Sequence, residues 1–239
     1  MSHHYVNIKD LTFTYSDGNI ALENINMYIT HGESVAILGS NGAGKSTLLK
    51  HLNGTLLSDK GEINIGGIPV TKKTLKKIRE TVGIVFQNTD NQLFMPTVYE
   101  NVAFGPKNLG VDGEQLKSIV ESVLKDTGTI HLLQKHPFRL SGGEKRKVCI
   151  ASVIACSPEI LVFDEPTAEV DPKGIKDIVN ILKKFHHTKI ISTHNLKFAS
   201  AVCKRGVVLK HGKIIFDGQM EDIINNTELL REAEILDEY

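Results

Sequence analysis

An α/β fold, with a mostly parallel sheet covered by helices on both faces, is predicted by three observations. Short apolar runs that read as strands, at residues 33–38, 82–86, 160–163, 189–193, 206–209 and 213–216, alternate with stretches of helical period. A glycine-rich loop at residues 39–47 joins the first of these runs to a helix. The chain has 239 residues, enough for one large domain or one core with a subdomain inserted in it, and 41% hydrophobic with 23% charged residues is an ordinary globular composition.

Taken in order, residues 5–9 and 11–15 alternate and read as two strands, and Asp17-Gly18-Asn19 is a turn signal. Residues 22–29 alternate again, with Leu22, Ile25, Met27 and Ile29 apolar. The loop helix covers 45–53, a short strand follows at 61–65, and Gly66-Gly67 is a turn. Residues 72–80 form a charged helical stretch, and the strand at 82–86 ends at Gln87. From 88 to about 157 the chain reads as mainly helical. Pro96-Thr97-Val98-Tyr99-Glu100 has the form of a helix start, and Leu116, Ile119, Val120, Val123 and Leu124 keep a helical period within 114–127. A further helix spans 141–156. Later helices fill 172–185 and 195–203, and the tail 219–239 is helical and acidic.

The loop itself carries chemistry. Gly39-Ser40-Asn41-Gly42-Ala43-Gly44-Lys45-Ser46-Thr47 matches G-x-x-x-x-G-K-[ST], a phosphate-cradling pattern. Its glycines let backbone N–H groups approach phosphate oxygens, and the helix behind it points a positive dipole end at them. Lys45 adds a point charge for the β- and γ-phosphates, and the Ser46 hydroxyl is placed to ligate Mg²⁺. A nucleoside triphosphate is therefore expected as ligand.

A second set lies further on. Ile160-Leu161-Val162-Phe163-Asp164-Glu165 is an apolar strand ending in two carboxylates. In open α/β sheets ligands sit at such carboxyl ends. Asp164 can hold Mg²⁺, and Glu165, pointing elsewhere, can orient or deprotonate a water. Leu140-Ser141-Gly142-Gly143-Glu144-Lys145 sits at a helix start. It fits an anion site made by exposed N–H groups, and equally a capping box of Ser141 with Glu144.

The bulk numbers bound the partners. Lys plus Arg and Asp plus Glu both number 28, so there is no general electrostatic attraction to nucleic acid or an anionic membrane. Cys149, Cys156 and Cys203 show no metal spacing and read as small buried hydrophobes, which favours a reducing, intracellular setting. The start Met1-Ser2-His3-His4-Tyr5 has no signal-like apolar region, and no apolar run approaches the length of a membrane span.

These motifs together resemble the ATP-binding-cassette (ABC) ATPase family over nearly the whole chain. Residues 39–47 resemble its Walker A motif, 140–144 its signature motif, and 160–165 its Walker B motif with the catalytic glutamate, Glu165. Gln87 stands where the family has its Q-loop glutamine, Ala168-Glu169-Val170-Asp171 its D-loop, His194 its switch histidine and Tyr15 its adenine-stacking aromatic. The resemblance implies a P-loop NTPase (RecA-like) core with an antiparallel β subdomain and an inserted helical subdomain. The core would comprise 1–88 and 158–218, the helical subdomain 89–157, and a short tail 219–239. It also implies ATP and Mg²⁺ as cofactors, and two cassettes paired head to tail. Ser141, Gly142 and Gly143 of one copy would then bind the γ-phosphate held by Lys45 of the other. Glu165 and His194 would place the attacking water, with Gln87 linking Mg²⁺ to the helical subdomain.

Phe86-Gln87-Asn88-Thr89-Asp90-Asn91-Gln92-Leu93-Phe94 resembles the corresponding segment of energy-coupling factor (ECF) importer ATPases, with Thr89 where that group usually has proline. The closest resemblance is to cobalt/nickel subunits. It implies a peripheral protein at the cytoplasmic face of the membrane. The partners would be a second ABC ATPase subunit, a transmembrane coupling subunit and a substrate-binding membrane subunit. No nucleic acid is expected. Residues 88–94, with the apolar pair Leu93-Phe94 beside Gln87, are expected to form part of the groove that receives a coupling helix of the transmembrane partner. ATPases of other ABC transporter classes, and soluble ABC ATPases acting on nucleic acid or ribosomes, are the competing readings.

Overall fold

The computed structural model describes residues 5–58 and 60–235, so residues 1–4 and 236–239, which include His3, His4 and the end of the acidic tail, lie outside the described residues. The strands in chain order are β1 (Val6–Thr14), β2 (Ile20–Ile29), β3 (Ser34–Leu38), β4 (Lys60–Ile65), β5 (Ile68–Pro69), β6 (Val82–Val85), β7 (Ile160–Asp164), β8 (Thr188–Ser192), β9 (Arg205–Lys210) and β10 (Lys213–Gln219). The helices are α1 (Lys45–Leu52), α2 (Leu75–Thr81), α3 (Val98–Asn108), α4 (Gly113–Asp126), α5 (Gly142–Ile154), α6 (Pro172–Lys184), α7 (Leu196–Val202), α8 (Met220–Asn225) and α9 (Thr227–Glu232).

Two sheets result. A six-stranded sheet has the order β10-β9-β3-β8-β7-β6, with β10 antiparallel to β9 and the remaining pairs parallel. A four-stranded antiparallel sheet has the order β2-β1-β4-β5. Alternation along each parallel strand splits the core in two. Ala36 and Leu38 of β3, with Leu161 and Phe163 of β7, join the apolar residues of α3 to α9 on one face. Val35 and Ile37, with Ile160 and Val162, pack against α1 and the antiparallel sheet on the other. Burial on both faces is why these strands read as continuous apolar runs.

The first two expected strands are one. β1 continues through Asp10, which takes φ 49, and its register against β2 shifts between Ile8 and Leu11. Ile8 and Leu11 are three apart and both buried, so a bulge must re-phase the alternation to keep both on the core face. Helix α2 starts at Leu75, later than the charge pattern suggests, because the Thr71 N–H donates to Thr74 Oγ1 at 2.9 Å and makes a turn of the preceding residues. At α3 the expected start is a capping box of Thr97 with Glu100.

The apolar pair beside Gln87 divides. Leu93 is 5% exposed and belongs to the core, whereas Phe94 is 62% exposed, with its ring edge-on to Phe104 at 5.0 Å. Leu93, as a core residue, does not line a surface groove; of the pair only Phe94 is at the surface. Among the cysteines, Cys149 and Cys203 are buried and Cys156 is half-buried; all three are free. Burial pushes the Cys149 and Cys203 thiols up to about 12, so they are packing groups and not nucleophiles. In the tail, α8 and α9 turn Met220, Ile223, Leu229 and Leu230 into the core.

Candidate active site

A cleft of about 530 Å³ opens at the carboxyl ends of β3 and β7, lined by Tyr15, Asn19, Ile20, Ala21, residues 41–47, Gln87, Glu165 and His211. At two of its glycines the loop leaves no room for a Cβ. Gly44 has φ 102 and is the N-cap of α1; a Cβ there would lie 2.5 Å from the Ala21 carbonyl oxygen. At Gly39 a Cβ would lie 2.4 Å from the Leu209 carbonyl oxygen.

Lys45 is 6% exposed and folds back over the loop, its Nζ donating to the carbonyls of Gly39 at 2.8 Å and Ser40 at 3.0 Å. Ser46 Oγ donates to Asp164 Oδ1 at 2.8 Å, and Ser192 Oγ, from the neighbouring strand β8, donates to the same oxygen at 2.7 Å. Tyr15 shares a 3.0 Å hydrogen bond between its hydroxyl and Thr47 Oγ1, and its ring stands edge-on to Phe13. These contacts place the ring at the cleft wall next to the loop.

Glu165 is the strained member of the site. It takes φ 45, and its N–H donates to the Ser192 carbonyl and hydroxyl oxygens, both at 3.1 Å. Its carboxylate is buried. Lys45 Nζ lies 3.4 Å from Oε1 and His194 Nδ1 lies 3.1 Å from Oε2, but neither approach has hydrogen-bond alignment. Lys45, Ser46, Asp164 and Glu165 thus converge, with His194 at the solvent side, its side chain 61% exposed.

Gln87 reaches the cleft under control of the signature helix. Arg146 on α5, only 2% exposed, donates from Nη1 to the Phe86 carbonyl and from Nη2 to the Gln87 carbonyl, both at 2.7 Å. Burial pushes the Arg146 pKa down, yet guanidinium stays charged in proteins. Lys145 adds an ion pair to Asp90 at 2.6 Å. Arg146→Lys loses the planar fork that spans two carbonyls. Turnover should fall by about tenfold and stability by about 1.5–3 kcal/mol, the worth of one charged hydrogen bond; steady-state phosphate release and urea unfolding check this.

Ser141, Gly142 and Gly143 do not line this cleft. The capping box is present: the Glu144 N–H donates to Ser141 Oγ, while Glu144 Oε2 accepts from the Ser141 N–H at 2.8 Å and from its hydroxyl at 3.0 Å. These bonds, the backbone one foremost, hold the Glu144 carboxyl below its usual range. The helix tip is packed against the chain's own residues 169–171, where a Cβ on Gly142 would meet the Glu169 carbonyl at 2.8 Å.

Sequence reasoning missed His211, Ser192, Arg146 as a clamp, and the wall at Asn19 to Ala21. His211 and Gly212 have φ 47 and 75 and form the two-residue turn between β9 and β10. The Gly212 N–H donates to the Ala43 carbonyl and the Glu23 N–H to the Gly212 carbonyl, which pins this hairpin to the loop. The His-Gly pair signals a turn, but not what the turn touches.

The donor set suits Mg²⁺. Among the described residues no cluster of three or more His, Cys, Asp or Glu could form an all-protein cage. A hydroxyl and a carboxylate in contact, Ser46 and Asp164, are the hard oxygen donors with which Mg²⁺ joins phosphates and water.

A strand, glycine loop and helix with lysine over the loop, beside a strand ending in Asp-Glu, define a P-loop ATPase. The family model for the ABC transporter matches residues 22–168, and the chain belongs to that family, as an ATP-binding cassette. It is 51% identical over 230 residues to a putative ABC transporter ATP-binding protein of Geobacter sulfurreducens, covering 96% of this chain and 92% of the relative. It is 44% identical to the energy-coupling factor transporter ATP-binding protein EcfA of Methanocaldococcus jannaschii, covering 96% of this chain and 84% of the relative. The structure of cbiO1 from Clostridium perfringens, part of the ABC transporter complex cbiONQ, aligns with TM-score 0.85 at 38% identity over 98% of this chain and 95% of that one. The dimeric cassette MJ0796 in a post-hydrolysis state with ADP and Pi aligns with TM-score 0.82 at 31% identity, over 90% of this chain and 98% of that one. Among the described residues no helix is long and apolar enough to cross a membrane.

Proposed function

We propose that this chain is the ATP-hydrolysing subunit of an ECF-type importer for cobalt or nickel ions, or for a vitamin. It would work at the cytoplasmic face of the membrane, peripherally, with a transmembrane coupling subunit and a substrate-binding membrane subunit. The observation that carries the enzymatic reading is the buried Glu165 carboxylate, held at a strained backbone position between Lys45 and His194 without an aligned hydrogen bond. The Methanocaldococcus jannaschii relative, named an energy-coupling factor transporter ATP-binding protein, and the structural neighbour from the complex cbiONQ support the importer class.

The chain's residues divide the work. The residues of loop 39–47, from Gly39 through Ser40, Asn41, Gly42, Ala43 and Gly44 to Thr47, cradle the triphosphate, and Lys45 exchanges its loop carbonyls for β- and γ-phosphate oxygens. Tyr15 packs on the base. Ser46, Asp164 and Gln87 would hold Mg²⁺, which when bound neutralises charge between the β- and γ-phosphates. Glu165 orients and deprotonates the attacking water, and His194 holds it in line. Because Ser141 to Gly143 sit outside their own chain's cleft, a second cassette supplies them, and the exposed start of α5 offers its N–H groups to the γ-phosphate.

The class test is reconstitution with the membrane subunits in liposomes, followed by uptake of Co²⁺, Ni²⁺ and vitamins driven by internal ATP. Uptake of none, with ATPase stimulated by nucleic acid instead, would overturn the importer reading. The exposed pair Phe94 and Phe104, which follows Gln87 by seven and seventeen residues, is the docking surface for the coupling subunit in this reading. Phe94→Glu should cut co-purification with that subunit and uptake by about thirtyfold, because an interface aromatic contributes of order 2 kcal/mol. The isolated ATPase should be unchanged.

A further inference from the structure

The nucleotide cleft has a second group that can be cationic. Among the described residues that line it, only Lys45 and His211 have side chains able to carry positive charge. Lys45 is engaged at one end. Its Nζ spans the Gly39 and Ser40 carbonyls and approaches Glu165, so its charge serves the terminal phosphates. For the phosphates nearer the sugar, the wall offers loop N–H groups and one side chain that can become a cation, His211.

The turn that carries His211 is fixed by its backbone. His211 takes φ 47, and the next residue, Gly212, donates its N–H to the Ala43 carbonyl at 3.0 Å. The turn abuts the start of α1 on one side and β2 on the other. A Cβ on Gly44 would lie 3.5 Å from Gly212 Cα, and one on Gly212 would lie 2.8 Å from the Ala21 carbonyl oxygen. His211 is thus held beside the middle of the loop, exposed and at the cleft wall. Among the described residues its imidazole has no hydrogen bond, ion pair or ring contact.

The ionisable groups around it are few. Lys210 and Lys213 flank the turn, and Lys213 pairs with Glu23 of β2 at 3.1 Å. Asp17, in the turn before β2, accepts from the Asn19 N–H. Residues 39–44 of the loop and 19–21 of the wall bear no charge, and Glu165 lies at the Lys45 end. We propose that His211 is a further nucleotide-binding residue, whose imidazole donates a hydrogen bond to a phosphate oxygen on the sugar side of the chain. Histidine changes charge between about pH 5 and 8, and a charged donor makes the stronger bond, so the contact tightens as pH falls through that range. This inference rests on reading residues 39–47 as the nucleotide cradle.

ADP with excess Mg²⁺ is the probe, because it is not hydrolysed and lacks the γ-phosphate. Calorimetric titration of the full chain should show ADP binding about fivefold more tightly at about pH 6 than at about pH 8.5, the worth of a modest ion pair. His211→Asn suits the left-handed turn position before glycine and cannot gain charge, so it should lose that gain. His211→Lys should keep the tight value across the range. In the full chain carrying ¹⁵N-histidine, ADP should move the His211 ring resonances saturably. Equal pH dependence in wild type and His211→Asn, or His211 resonances unmoved at saturating ADP, would overturn the proposal. Loss of affinity in both variants at every pH would also overturn it, since that pattern marks ring stacking on sugar or base in place of a phosphate contact. Lys45→Ala separates this from the reading beneath it: should that variant bind ADP as wild type does, the loop is not the cradle and both fall.

Discussion

Lys45→Ala is expected to abolish ATP hydrolysis, lowering kcat/KM by about three orders of magnitude, and to remove most nucleotide affinity. Two losses add. The ammonium is the charge that the β- and γ-phosphates need, and a charge-assisted contact of this kind in a protected site contributes several kcal/mol. It also ties the loop together through the Gly39 and Ser40 carbonyls, so without it the cradle loses a brace before any nucleotide arrives. Steady-state phosphate release and binding of a fluorescent ATP analogue measure both effects. Turnover within tenfold of wild type would remove Lys45 from the mechanism.

Glu165→Gln is expected to separate binding from turnover. The substitution keeps the shape of the side chain and its place beside Lys45 and His194, and removes the negative charge and the base. Hydrolysis should fall by about 10³-fold, within the span of general-base contributions. ATP affinity should hold or rise, because a buried carboxylate no longer repels the triphosphate. With hydrolysis blocked, the closed pair of cassettes should accumulate on adding Mg²⁺ and ATP, read by size-exclusion chromatography with light scattering. A monomer under those conditions would count against the head-to-tail pair, and undiminished turnover would count against Glu165 as the base. The two variants therefore differ in kind. Lys45→Ala loses the substrate, and Glu165→Gln keeps it and stalls.

The sequence determined those features whose physics is local. A glycine at φ 102, a lysine following it, a hydroxyl next in line and a helix behind are set within ten residues, so the loop was legible as written. The same holds for the apolar strand ending at Asp164 and Glu165, for the capping boxes at Thr97 and Ser141, and for the double-faced apolar runs of the parallel sheet. Each depends on neighbours along the chain or on a strand's own alternation.

Only the tertiary structure decided which of these features meet. Ser46 reaches Asp164 across 118 positions and Arg146 reaches Gln87 across 59, and no local pattern encodes the direction in which a guanidinium on α5 will point. Leu93 and Phe94 are equally apolar neighbours, yet one is core and the other surface, because the turn at Thr89–Asn91 sets which of them faces inward. His211 enters the nucleotide cleft because Gly212 hydrogen-bonds to Ala43, a contact between segments far apart in the chain. Short-range chemistry specifies the parts of this site, while their assembly follows from burial of both sheet faces, which involves every element at once.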